Sequence, residues 1–238
     1  MSCLTRRNFI ETTGLAAGGL LLAGAPTLRI AAQEKEKEVG AVEDLMREHG
    51  VLRRALLVYQ TCAQRLRADP ITVSTAALRK TATLFRRFGE DYHERKLEEA
   101  HIFPVVRKVQ GEAAQYPDVL IAQHERGRQI TDYILSVTHN EIVSTANVQP
   151  LAMSLQAFVL MYEHHAARED TIVFTAWKNA LSEKALDEMG EQFEDIEHRE
   201  FGKDGFEDAL KTIVGVEQTL SIADISLFTA PPPPKAKG

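Results

Sequence analysis

Three stretches of this chain carry histidine where a helix would ordinarily carry leucine. His49 stands between Leu45 and Leu52, and His124 between Leu120 and Thr131. In YEHHAAREDTIVF, residues 162–174, His165 and Glu169 occupy consecutive seam positions flanked by Tyr162 and Ile172. His164 lies about 100° away around the helix and reads as a flanking residue. A buried, unpaired histidine or glutamate costs several kcal/mol or gives up its charge. One such residue in a helix is ordinary core polarity. Three helices each turning a histidine inward, one with a carboxylate beside it, is the pattern by which bundles hold two metals.

Residues 92–104, YHERKLEEAHIFP, echo that motif. With Pro104 laid opposite Thr175, His93 falls on His164, Glu94 on His165, Glu98 on Glu169 and Phe103 on Phe174. Both segments are therefore expected to perform the same task.

The elements that must position these residues follow from periodicity. Leu45, His49, Leu52, Leu56, Tyr59, Ala63 and Leu66 recur in steps of three and four over residues 41–67, a bundle-type seam closed by Asp69-Pro70. A second helix spans about 74–110, with Pro104 ending or kinking its last turns. A third covers about 117–138. Asn147 to Pro150 opens a fourth, whose seam is Leu151, Leu155, Phe158, Tyr162, His165, Glu169, Ile172 and Ala176. A fifth helix, about 182–200, and a short apolar one reaching about 220 complete an all-α, up-down four-helix bundle with extra C-terminal helices.

DLMREHGVLRRAL, HERKLEEAHIFP, AQHERGR and YEHHAAREDTIVF together resemble the four helices of the hemerythrin-like, HHE cation-binding family, over about residues 42–206. The resemblance implies a non-haem di-iron centre with terminal histidines and two bridging carboxylates. By position His49, His93, Glu98, His124, His165 and Glu169 take the ligand roles. The family commonly has His and Glu four residues apart in helix two; here Leu97 holds that place and Glu98 is five residues on. His93 and Glu98 would diverge by roughly 140° on an ideal helix, so a bulge or loosened turn is required. Glu94 and Glu98 are the geometrically easy pair, and Glu98-x-x-His101 is a ferritin-like spacing. The partner of Glu98 is therefore sought among His93, Glu94 and His101, with His93 and Glu94 preferred. In helix three Arg128 stands where the family often has a second histidine, which leaves three alternatives: a more carboxylate-rich site, water or Tyr162 as a further ligand, or one weakly held metal. Glu197 and His198 are spare candidates that read better as a solvated helix end.

The rest of the chain bounds the context. A formal charge of −6 excludes a broad nucleic-acid surface. There is no Gly-rich phosphate loop, GxSxG elbow or CxxC. LTRRNFI, with Arg6-Arg7, precedes the weakly hydrophobic run GLAAGGLLLAGA, residues 14–25, and resembles a twin-arginine signal. Residues 1–32 are read as that signal, 33–40 as a charged linker, 41–222 as the bundle and 223–238 as a Pro-rich disordered tail. Export through the twin-arginine machinery to the periplasm or cell exterior is expected, with membrane attachment only through an uncleaved N-terminus. Removal of the signal takes Cys3 away and leaves Cys62 alone, so no internal disulfide is expected.

Imidazole and oxygen donors suit iron or manganese, and the resemblance implies two iron ions, with manganese or zinc as lesser expectations. Three functions follow. The first is an O2-binding protein handling or sensing oxygen or iron. The second is a di-iron enzyme acting on peroxide or nitric oxide. The third is a structural bundle holding zinc or no metal.

Overall fold

The computed structural model describes residues 39–235; the expected export signal and most of the linker lie outside them. Six helices, and no strand among the described residues, build the molecule. Helix α1 is Ala41–Ala68. Helix α2 covers 75–106, α-helical over Thr75–Leu84, π-helical over Phe85–Ile102 and α-helical again over Phe103–Val106. Helix α3 is Tyr116–Val137. Helix α4 covers 145–180, with one π-helical stretch, Glu169–Val173, between Thr145–Arg168 and Phe174–Ala180. Helices α5, Glu183–Phe201, and α6, Gly205–Thr219, follow.

Local chemistry sets the boundaries. Ser74 caps α2 by accepting the Ala77 N–H, and Ser182 and Asp204 do the same for α5 and α6. Gly202 ends α5 in the left-handed region, φ 70°, where a side chain would be strained. Helices α1 to α4 form the four-helix bundle, and α5 and α6 pack against α1 and α2. Tail residues 225–228 make one 3-10 turn, with Ile225, Leu227 and Phe228 exposed. No helix among the described residues is long and apolar enough to cross a membrane.

All seven seam residues of α1 are buried. The α4 seam is also buried from Leu151 to Glu169, then shifts by one residue. Val173 and Trp177 become fully buried, while Ile172 and Ala176, expected on the seam, are only half-buried. The cause is the π stretch, in which N–H bonds to the fifth preceding carbonyl and each turn takes in extra chain. Pro104 does not end α2. It sits just past the π stretch, and the helix runs on to Val106.

Candidate metal centre

The two π stretches lie where chemistry is expected. Glu98 is inside the first and Glu169 opens the second. The carbonyl of Glu98 accepts the N–H of Phe103, and that of Glu169 accepts the N–H of Phe174, each five residues on. The echo between helices two and four therefore extends to the backbone. The phenyl rings then cross over: Phe174 stacks on His49 at 5.3 Å, and Phe103 on His124 at 5.7 Å.

Four imidazoles and two carboxylates meet in the bundle core, and all six side chains are buried. The Nε2 atoms of His49 and His93 lie 3.0 Å apart, and those of His124 and His165 also 3.0 Å apart. Each pair faces one oxygen from each carboxylate. His93 Nε2 is 3.4 Å from Glu98 Oε1 and His49 Nε2 is 3.6 Å from Glu169 Oε2. On the other side His124 Nε2 is 3.4 Å from Glu98 Oε2 and His165 Nε2 is 3.0 Å from Glu169 Oε1. The i→i−5 winding of α2 removes the 140° divergence of His93 and Glu98, so both reach one point.

Every imidazole is oriented from behind. The Nδ1 atoms of His49, His93, His124 and His165 lie 2.7, 2.6, 2.9 and 2.9 Å from acceptor oxygens of Asp170, Glu48, Glu99 and Gln123. Three of those partners are carboxylates, which only accept when ionised, so Nδ1 carries the proton and Nε2 the lone pair. Two Nε2 lone pairs 3.0 Å apart repel unless a cation or proton lies between them. All four oxygens of Glu98 and Glu169 are buried, with no partner except the four imidazole nitrogens 3.0–3.6 Å away. Such atoms are costly unless a metal takes them.

Charge points the same way. Glu48, Glu94, Glu98, Glu99, Glu169 and Asp170 surround the site. Against them stand the guanidiniums of Arg53, paired with Asp170, and Arg128, paired with Glu99 and Glu94. Six carboxylates against two cations leave the deficit that two divalent ions would fill.

Without metal the groups redistribute protons. Burial opposes charge on His93 and His124, but Glu98 and Glu48 at the first, and Glu94, Glu98 and Glu99 at the second, hold both well above the usual imidazole range. Burial and the charge of His124 push His165 down to about 3. Burial acts to raise Glu98, yet His93 and His124 hold it well below the carboxylate range. Burial and the Glu98 charge hold Glu169 well above that range.

His49, His93, Glu98, His124, His165 and Glu169 are thus brought together, and the remaining candidates are not in this set. Glu94 is adjacent: its carboxylate accepts from Tyr162 at 2.7 Å and Arg128 at 3.2 Å. Arg128 fills the place of the second helix-three histidine by bridging Glu94 and Glu99. His101 is half-buried against Phe193, away from the centre. His164 is exposed, and Leu97 is core. Glu197 is buried rather than solvated, accepting the Phe206 N–H at 2.8 Å. Sequence reasoning did not single out the outer partners Glu48, Glu99, Gln123 and Asp170. Each adjoins a proposed ligand or lies one position from it, which is the only signal they give.

A cavity of about 20 Å³ touches the centre, lined by His49, His93, His165, Glu98 and Glu169 and walled by Glu94, Tyr162, Leu52, Leu56 and Phe85. It has room for one molecule of about the size of water.

Fold and site define a helical-bundle protein built to bind cations at a paired histidine–carboxylate centre. Residues 40–177 match the hemerythrin HHE cation-binding domain, and the chain belongs to that family. Uncharacterized proteins of Mycobacterium bovis and Mycobacterium tuberculosis are similar to it. Each is 40% identical over 236 residues, covering 94% of this chain and 90% of the relative. No solved structure matches the chain.

Proposed function

We propose that this protein holds two iron ions and binds O2 reversibly, as an exported oxygen- or iron-handling protein. The observation that carries the reading is the pairing of Nε2 atoms, each pair facing one oxygen of Glu98 and one of Glu169. His49 and His93 would hold one ion and His124 and His165 the other, with both carboxylates shared. An iron pair supplies the electrons that reversible O2 binding needs. The chain supplies the rest: carboxylates and Gln123 fix the imidazoles, Leu52, Leu56 and Phe85 keep bulk water from the cavity, and its volume excludes all but the smallest ligands. Export rests on Arg6-Arg7 and the apolar run after them.

A second reading, turnover of peroxide or nitric oxide, is favoured by one feature. Tyr162 and Glu94 line the same cavity, backed by Arg128, and give it a polar wall able to hold a proton.

Metal analysis with optical spectroscopy after anaerobic iron loading separates these. About two irons per chain, with near-ultraviolet bands that appear in O2 and reverse on its removal, is the expected result. Bands that bleach while peroxide is consumed move the assignment to the enzyme. Absence of bound iron overturns both.

A further inference from the structure

Away from the metal centre, the outer face of α2 and the corner between α5 and α6 enclose a cleft of about 650 Å³, sharing no lining residue with the small cavity. This volume falls within the range of small-molecule sites. Its rim is cationic, with Arg79, Lys80 and Arg87 from α2 and Lys203 from the corner, against Asp208 alone. A local excess of positive charge is out of keeping with a chain whose formal net charge is −6.

The cations are not consumed by internal partners to the same degree. Lys203 is paired with Asp208 at 2.5 Å, and Arg79 donates to the His139 carbonyl at 3.2 Å. Arg87 lies over the Phe201 ring at 6.0 Å, a contact that leaves its N–H groups available. Lys80 has no ion pair among the described residues. Beneath this rim the buried side chains of Leu84, Phe88 and Ala209 close the cleft, and the half-buried Phe201 ring lines its wall. Like charges gathered round this cleft repel one another, and a ligand that is anionic at one end and apolar at the other relieves that cost while covering the Phe201 ring.

We propose that this cleft binds a monomeric amphipathic anion, its carboxylate, sulfonate or phosphate held by Lys80 and Arg87 and its body laid along the Phe201 ring and the aliphatic stems of the rim. The site is independent of the metal centre, whose cavity is far too small for such a molecule.

The test is a fluorescence titration of the folded, metal-loaded full chain with anilinonaphthalene sulfonate. Competition with decanoate, decanol and inorganic phosphate follows. One saturable site is expected, displaced by decanoate and by neither decanol nor phosphate. Affinity should fall about tenfold or more in the Lys80→Gln/Arg87→Gln double variant, the equivalent of about 1.4 kcal/mol. Thr83→Glu, which adds an opposing charge at an exposed lining position, should weaken binding in the same direction. Metal content and thermal midpoint should stay at the wild-type values in both variants. Unchanged affinity in either variant overturns the proposal. So does equal displacement by decanol, which would mean an apolar patch only, or by phosphate alone, which would mean a bare anion site. Binding confined to anionic vesicles, with none to monomeric anions, also overturns it.

Discussion

Glu169 is where burial and charge conflict most directly. Its two oxygens have no well-directed donor, and burial together with Glu98 holds its carboxyl well above the ordinary range. A raised carboxyl costs nothing below about pH 4.5, where folded and unfolded chains both hold the proton, and costs progressively more as the pH rises above it. Glu169→Gln should therefore stabilise the metal-free protein at neutral pH by about 1–3 kcal/mol and leave it unaltered near pH 4. The same change should abolish loading of the full metal pair. Chemical denaturation at both pH values, with and without metal, reads both signs, and a destabilised metal-free variant would refute the argument. The histidine pairs make a related prediction. In metal-free protein His93 and His124 carry the protons that sit between the facing nitrogens. Loading should release about three protons per chain, the third from the Glu169 carboxyl, and weaken as pH falls, measurable by calorimetry in buffers of different ionisation enthalpy. Seam spacing made His49, His124, His165 and Glu169 legible in the sequence, because burial of a polar group on an apolar face is a periodic signal. Glu48 and Gln123 were not, since an outer partner is defined by what lies across the bundle rather than by its own periodicity.

Elements, in turn, decide whether these side chains can meet. Four helices and two additions could be read from the three-four periodicity, and the structure has them. The sequence also required a loosened turn between His93 and Glu98, but it gave no sign that π winding would run over Phe85–Ile102 or recur at Glu169–Val173. Such winding has poorer hydrogen-bond geometry and persists only where burial and ligand geometry hold it. Amide hydrogen exchange should therefore be faster over both π stretches than over the middle of α1 in metal-free protein. Metal should slow the π stretches selectively, and equal protection before and after loading would contradict this. The contact of α3 with α4 is equally specific. A Cβ on Gly127 would lie 2.0 Å from the Tyr162 hydroxyl oxygen, so the glycine makes room for that hydroxyl. Gly127→Ala should cost about 1–3 kcal/mol, as overpacking does, and release Tyr162 from Glu94. Adding Tyr162→Phe removes the nearest clash and should recover part of the loss. A double-mutant cycle without coupling would show that the two residues do not share the space.

Across the whole molecule, the centre ties every helix of the bundle to every other. It draws His49 from α1, His93 and Glu98 from α2, His124 from α3, and His165 and Glu169 from α4, so bound metal acts on one cooperative unit. Helices α5 and α6 are attached differently. Arg54 makes a two-pronged contact with Glu217, Lys96 pairs with Glu200, and Phe201 packs edge-on against Tyr92 at 5.2 Å. None of these contacts includes one of the six central residues, although Tyr92 donates to Glu48 behind His93 at 3.0 Å. Disturbing α6 and removing metal should consequently have separable effects. Metal present at about a thousand times its dissociation constant adds about 4 kcal/mol to the folded state. For a domain of this size that corresponds to about 10 °C in the thermal midpoint. Chelation should lower the main unfolding transition by that amount. Arg54→Ala should loosen α6, lowering stability by about 1–3 kcal/mol while metal content stays unchanged. Calorimetry on chelated, loaded and Arg54→Ala protein measures both effects. A midpoint insensitive to chelation would mean that the four facing nitrogens and four buried oxygens are satisfied by something other than metal.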